Sequence, residues 1–109
     1  MTDRLRELVA MHCRAGAPRL PDDELHAELA HLPGWTRSGE RIEKTFRFGD
    51  YHATIAFVNA VAAIAHIEDH HPDLEVGYNY CRVRYSTHAI GGLSDNDFIC
   101  AAKADALLE

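Results

Sequence analysis

The chain has 109 residues, 47% apolar and 26% charged, with a net charge of −6 when histidine is neutral. That leaves room for one domain with a single core, and the acidic balance argues against direct nucleic-acid binding, which needs a basic face against the phosphates. The longest apolar run, "AFVNAVAAIA" from Ala56 to Ala65, is broken by Asn59 and falls far short of the roughly 20 residues that cross a bilayer, so no membrane association is expected.

In chain order, "LRELVAMH" places Leu5, Leu8 and Val9 at helical spacing, and residues 1–19 are assigned to an N-terminal arm or short helix ahead of a single domain over residues 20–109. Acids and bases mix here with no continuous apolar stretch, so no secretory leader is expected. Cys13, Cys81 and Cys100 form no CxxC pair, which suits reduced thiols in a cytoplasmic protein. "PDDELHAELAHLPGW" follows. Pro21 and two aspartates suit the positive end of a helix, Leu25, Leu29 and Leu32 recur along it, and Pro33-Gly34 stops it.

From Trp35 the period changes to two. Ile42, Phe46 and Phe48 share one parity of "RIEKTFRF" and Arg41, Glu43, Thr45 and Arg47 the other, as in a half-buried antiparallel strand, with a turn near Ser38-Gly39-Glu40 returning it to a strand at Trp35. "DYHATIAFVNAVAAIAHIEDHH" is helical again. Asp50 is the expected N-cap, Tyr51, Ile55, Val58, Val61, Ala62 and Ala65 the expected apolar stripe, and Pro72 the stop, with His71 turning out of the helix one position after His70. Leu74–Tyr78 and Arg82–Ser86 predict a second hairpin turning near Asn79. "AIGGLS" is a loop, and Ser94 with Asp97 three positions on has capping-box spacing for a final helix. The expected fold is α+β: a two-layer sandwich with a four-stranded antiparallel sheet, helices on one face, and the other face or an edge free for self-association.

Eight histidines are the compositional oddity, and His66, His70, His71 and His88 lie close together in the second half. Three readings compete. His66 and His70 are four apart, as zinc ligands on one helix face would be, with His71 or His88 as a third. Against a metal, His71 leaves from a different part of the chain and no cysteine is near in sequence. The cluster could also be a solvated polar helix end without chemistry. The third reading is acid–base chemistry: imidazole exchanges protons near neutral pH, and a helix C-terminus with Glu68 and Asp69 beside it favours the imidazolium. Adjacent His70-His71-Pro72 plus His88 near a strand end favours this last reading.

One pattern goes further. His70-His71-Pro72, five residues, Tyr78, nine residues, His88 in "STH", then eight residues to Asp97 in "GLSDND" resembles the pterin-4a-carbinolamine dehydratase family. So does the upstream "CRAGAPRLPDDELHAELAHLPGW", and the likeness runs from about Cys13 to the C-terminus. It implies an enzyme, a hydro-lyase that removes water from 4a-hydroxytetrahydropterin to give quinonoid dihydropterin, recycling the pterin of aromatic amino-acid hydroxylases. Neither a redox cofactor nor a metal is implied. The resemblance makes His70 and His88 the acid–base pair and gives His71 the role of positioning or polarising the hydroxyl. Asp69, Ser86 and Thr87 would contact the pterin ring. Asp97 and Trp35 match family positions near the substrate, although a cap and a core residue would look the same. His66, where many members carry glutamate, completes the substrate-binding set. Many members also have an aromatic pair where this chain has Leu74-Glu75. The family further implies a homo-oligomer, a dimer or tetramer. It includes assembly factors, so a non-catalytic protein-interaction module of the same fold is the alternative.

Overall fold

Two antiparallel hairpins lie side by side in the computed structural model, which describes residues 2–109. β1 (Thr36–Ser38) and β2 (Arg41–Arg47) form the first, β3 (Asp73–Val76) and β4 (Tyr80–Tyr85) the second, and the sheet order is β1-β2-β4-β3. Gly39 sits at φ +64° in the first turn, a conformation that costs glycine little. β2 and β4 pair along their length, from Ile42 opposite Tyr85 to Arg47 opposite Tyr80. Their alternation gives the sheet two unlike faces. Ile42, Phe46, Cys81, Val83 and Tyr85 are buried on one. On the other, Arg82 lies 3.4 Å from Glu75 and 3.8 Å from Glu43.

The helices are α1 (Asp3–Ala10), α2 (Asp22–Leu29), α3 (Tyr51–Glu68) and α4 (Asp95–Ala106), with one 3-10 turn at His88–Ile90. α3 and α4 contact each other and β4, and α1 packs on α4. Leu8 of α1 is fully buried, so the N-terminal segment is part of the core. The described residues thus form the expected α+β sandwich, with its helical layer on one side of an antiparallel sheet. Among them, no helix is long and apolar enough to cross a membrane.

Several local expectations need correction. α3 buries Thr54, Phe57, Val61, Ala65 and Glu68, so Val61 and Ala65 of the expected stripe are core, while Tyr51 and Ala62 are exposed and Ile55 and Val58 only half-buried. This helix is apolar on most sides, so its period alone could not choose a face. Phe57 decides it by packing on Phe46 and Phe48, with ring centroids 4.6 and 5.2 Å apart. α3 also stops at Glu68, and Asp69 caps it in the left-handed conformation at φ 51°, so His70 is already outside the helix. The second hairpin turns at Asn79 as expected, but its first strand ends at Val76 and its second begins at Tyr80; a Cβ on Gly77 would fall 2.1 Å from the Tyr80 ring, so only glycine fits there. His88 opens the 3-10 turn and does not end a strand.

Candidate active site

A cleft of about 640 Å³ opens where three pieces of chain converge. The first is the end of α3 and the residues after it, Ile67 to Asp73. The second is Ser86 to Ile90, leaving β4. The third is Cys13 to Ala17, ahead of α2, and Asn96 of α4 closes the ring.

His70 is the best-held side chain in it. Its Nε2 lies 2.7 Å from Asp97 Oδ1, and its ring stacks on Tyr85 with centroids 6.1 Å apart and planes 10° from parallel. Asp97 is completely buried. Its second oxygen accepts from the Thr87 hydroxyl at 2.8 Å and from the Ser94 backbone N–H at 3.0 Å, the latter closing the capping box of α4. A carboxylate only accepts, so the proton in the His70–Asp97 bond belongs to Nε2 of the neutral ring. Nδ1 is then its basic nitrogen. Thr87 gives its proton to Asp97, so Ser94 Oγ donates to Thr87 Oγ1 across 2.7 Å.

The third wall is stitched to the other two by buried polar groups. Glu68 Oε1 accepts the Cys13 N–H at 2.7 Å, and Oε2 lies 2.9 Å from His12 Nδ1 and 3.9 Å from Lys103 Nζ. Burial alone would push the Glu68 carboxyl up. The Cys13 N–H, His12 and Lys103 outweigh it and hold the group below its ordinary value. Asn96 accepts the Arg14 N–H at 3.1 Å and donates to the Arg14 carbonyl at 2.9 Å. The Tyr85 hydroxyl behind His70 is buried without a hydrogen-bond partner among the described residues, and burial foremost pushes its ionisation far up.

His70, His71, His88, Asp69, Ser86 and Thr87 therefore all line one cleft. Asp97 lies behind them with no surface to offer a ligand, and reaches the cleft through His70 and Thr87. The structure does not bring Trp35 or His66 to the cleft. Trp35 is core: its indole N–H donates to Asp105 Oδ2 at 3.1 Å and its ring lies 6.0 Å from both Phe46 and Tyr85. His66 is exposed on α3. The helix ends at Glu68, between them, so the regular one-face spacing that suggested a zinc-like pair of His66 and His70 is not kept. Among the described residues, no three His, Cys, Asp or Glu side chains are grouped as metal ligands would be. Glu68 was read only as an acid beside the histidines, and its bonds to Cys13 and His12 were not legible; Asn96 escaped sequence reasoning, because an Asn in a capping motif looks like a surface residue. Tyr85 was visible only as a strand residue.

A family model described as Pterin 4 alpha carbinolamine dehydratase matches residues 18–107. A Nitrosomonas eutropha relative, provisionally named pterin-4-alpha-carbinolamine dehydratase, is 59% identical over 97 residues, which cover 88% of this chain and 86% of the relative. A Brucella melitensis crystal structure described as a transcriptional coactivator/pterin dehydratase superposes with a TM-score of 0.81 at 31% identity. It covers 84% of this chain and all of the other. A pterin dehydratase-like RuBisCO assembly factor of the alpha-carboxysome gives 0.57 at 28% identity over 67% of this chain and 84% of its own.

Proposed function

We propose a dehydratase activity from one premise: the chain belongs to the pterin 4 alpha carbinolamine dehydratase family. The substrate class is a 4a-hydroxytetrahydropterin, and the products are water and a quinonoid dihydropterin. A proton leaves ring nitrogen N5, the bond from C4a to the hydroxyl oxygen breaks, and a second proton converts the departing hydroxyl to water. His70 takes the N5 proton on Nδ1, His88 protonates the leaving group, and His71 holds the hydroxyl. Asp69, Ser86 and Thr87 contact the ring system. The bond to Asp97 keeps the His70 ring in one tautomer and one orientation.

The observation that carries this reading is the meeting of His70, His71 and His88, from two separate stretches of chain, on one cleft. A volume of about 640 Å³ is in the range that holds a small two-ring ligand. Stopped-flow dehydration of 4a-hydroxytetrahydropterin is the test, and a rate equal to the uncatalysed one sinks the proposal. In an active protein, His70→Ala and His88→Ala should each slow the reaction, by up to ~10²–10⁴-fold and less where solvent water substitutes for the lost group.

Service to an aromatic amino-acid hydroxylase and self-association as a cytoplasmic dimer or tetramer belong to the same proposal. Sedimentation of the purified chain checks the second. The likeness to a RuBisCO assembly factor favours one other reading, an interaction module without catalysis. A protein inactive in the assay that forms a stable stoichiometric complex would support it.

A further inference from the structure

The thiols of Cys13 and Cys100 face each other with 3.4 Å between their sulfurs, although 87 positions separate them in the chain. Both are free. Cys13 is half-buried in the cleft wall, so a small solute entering the cleft can meet it. Cys100 is fully buried in α4 behind it. None of the acid–base steps above uses either group.

We propose that Cys13 and Cys100 are a peroxide-sensitive dithiol that closes to a reversible intramolecular disulfide. In the first step Cys13 sulfur attacks the peroxide. The O–O bond breaks, Cys13 becomes a sulfenic acid, and the peroxide is reduced to water or an alcohol. In the second step Cys100 sulfur attacks the Cys13 sulfur. The S–S bond forms, the S–O bond breaks, and the oxygen leaves as water with the Cys100 proton. The order of attack follows from access. Cys13 lines the cleft and meets the oxidant, while Cys100 is fully buried behind it and is reached only by the Cys13 sulfur.

From 3.4 Å the two sulfurs have only to close to the ~2.05 Å of a disulfide. Cys13 lies in a stretch without regular structure, so its side chain can turn toward α4. Its backbone N–H stays on Glu68, and Arg14 stays on Asn96. The bridge would fasten the third wall of the cleft covalently to α4.

The experiment treats the purified full chain with a small excess of hydrogen peroxide, digests it without reductant and maps the peptides by mass spectrometry. The expected result is a Cys13–Cys100 linked pair in a monomeric chain lighter by two hydrogens, with Cys81 still alkylatable and the link lost on adding dithiothreitol. In Cys100→Ala, Cys13 should stop at the sulfenic acid and be captured by dimedone. Cys13 sulfinic acid beside free Cys100 in the wild type, or cross-linking between chains, overturns the proposal. The readout is chemical, so it stands or falls apart from the dehydratase reading.

Discussion

Asp97 serves two purposes with two oxygens. One fixes His70 at 2.7 Å, and the other takes the Thr87 hydroxyl and the Ser94 N–H at the start of α4. Asparagine keeps the shape but has only one accepting oxygen, and its amide donates where donors already point. Asp97→Asn should therefore lower kcat on the order of 10²-fold with KM changed far less, because the His70 ring loses its tautomer and not its position. Urea unfolding of the same variant should show a loss of about 1–3 kcal/mol from a mismatched buried hydrogen bond. A residue acting only as a helix cap would give the second effect without the first. His71 and His88, both exposed, have no comparable anchor among the described residues.

At the scale of elements, much was legible. The second helix ends at Leu29, ahead of the expected stop at Pro33-Gly34, but alternation in "RIEKTFRF" marks a real strand and the Ser94–Asp97 capping box is formed as its spacing implied. Those signals are local, carried by backbone geometry that neighbouring residues enforce. The buried face of α3 was legible only in part: Val61 and Ala65 were expected in the core, but Ile55 and Val58 look as suited to it as Phe57. Only contacts with β2 and the Tyr78 carbonyl, 3.0 Å from Thr54 Oγ1, tell them apart. The distinction predicts opposite outcomes for two neighbouring alanines. Ala62→Lys should leave stability within about 0.5 kcal/mol. Ala65→Lys, which drives a charge into the core, should cost about 3 kcal/mol or more. Equilibrium urea curves for the two variants decide it. The candidate site was legible as a set of histidines in a spaced pattern. Its third wall was not, since nothing near Cys13 announces a partner more than fifty positions away.

Across the whole molecule, Glu68 fastens that wall through a bond spanning 55 positions. Its carboxyl is held below the ordinary 4.5, so the folded state favours the charged form. The resulting stability is fully present above pH 4.5 and is lost as pH falls through the lowered folded value. Between those limits the wild type should lose stability steadily with acid. Glu68→Gln, already without that contribution, should show a flatter profile over the same window. Thermal melts from pH 6 down to pH 3 check the difference in slope.

The three walls come from opposite ends of the chain, Cys13 to Ala17, Ile67 to Asp73 and Ser86 to Ile90, with Asn96 between them. During synthesis the first of these emerges early and must wait, unfastened, until Glu68 and then Asn96 have left the ribosome. A fragment ending at Ile90 already brings two of the walls together through the β3–β4 hairpin, but the wall at Cys13 to Ala17 is not tied to α4 until Asn96 has emerged. A nascent chain can therefore own every histidine of the site up to His88 and still lack one fastened wall of its cleft. The complete cleft would be the last property it acquires.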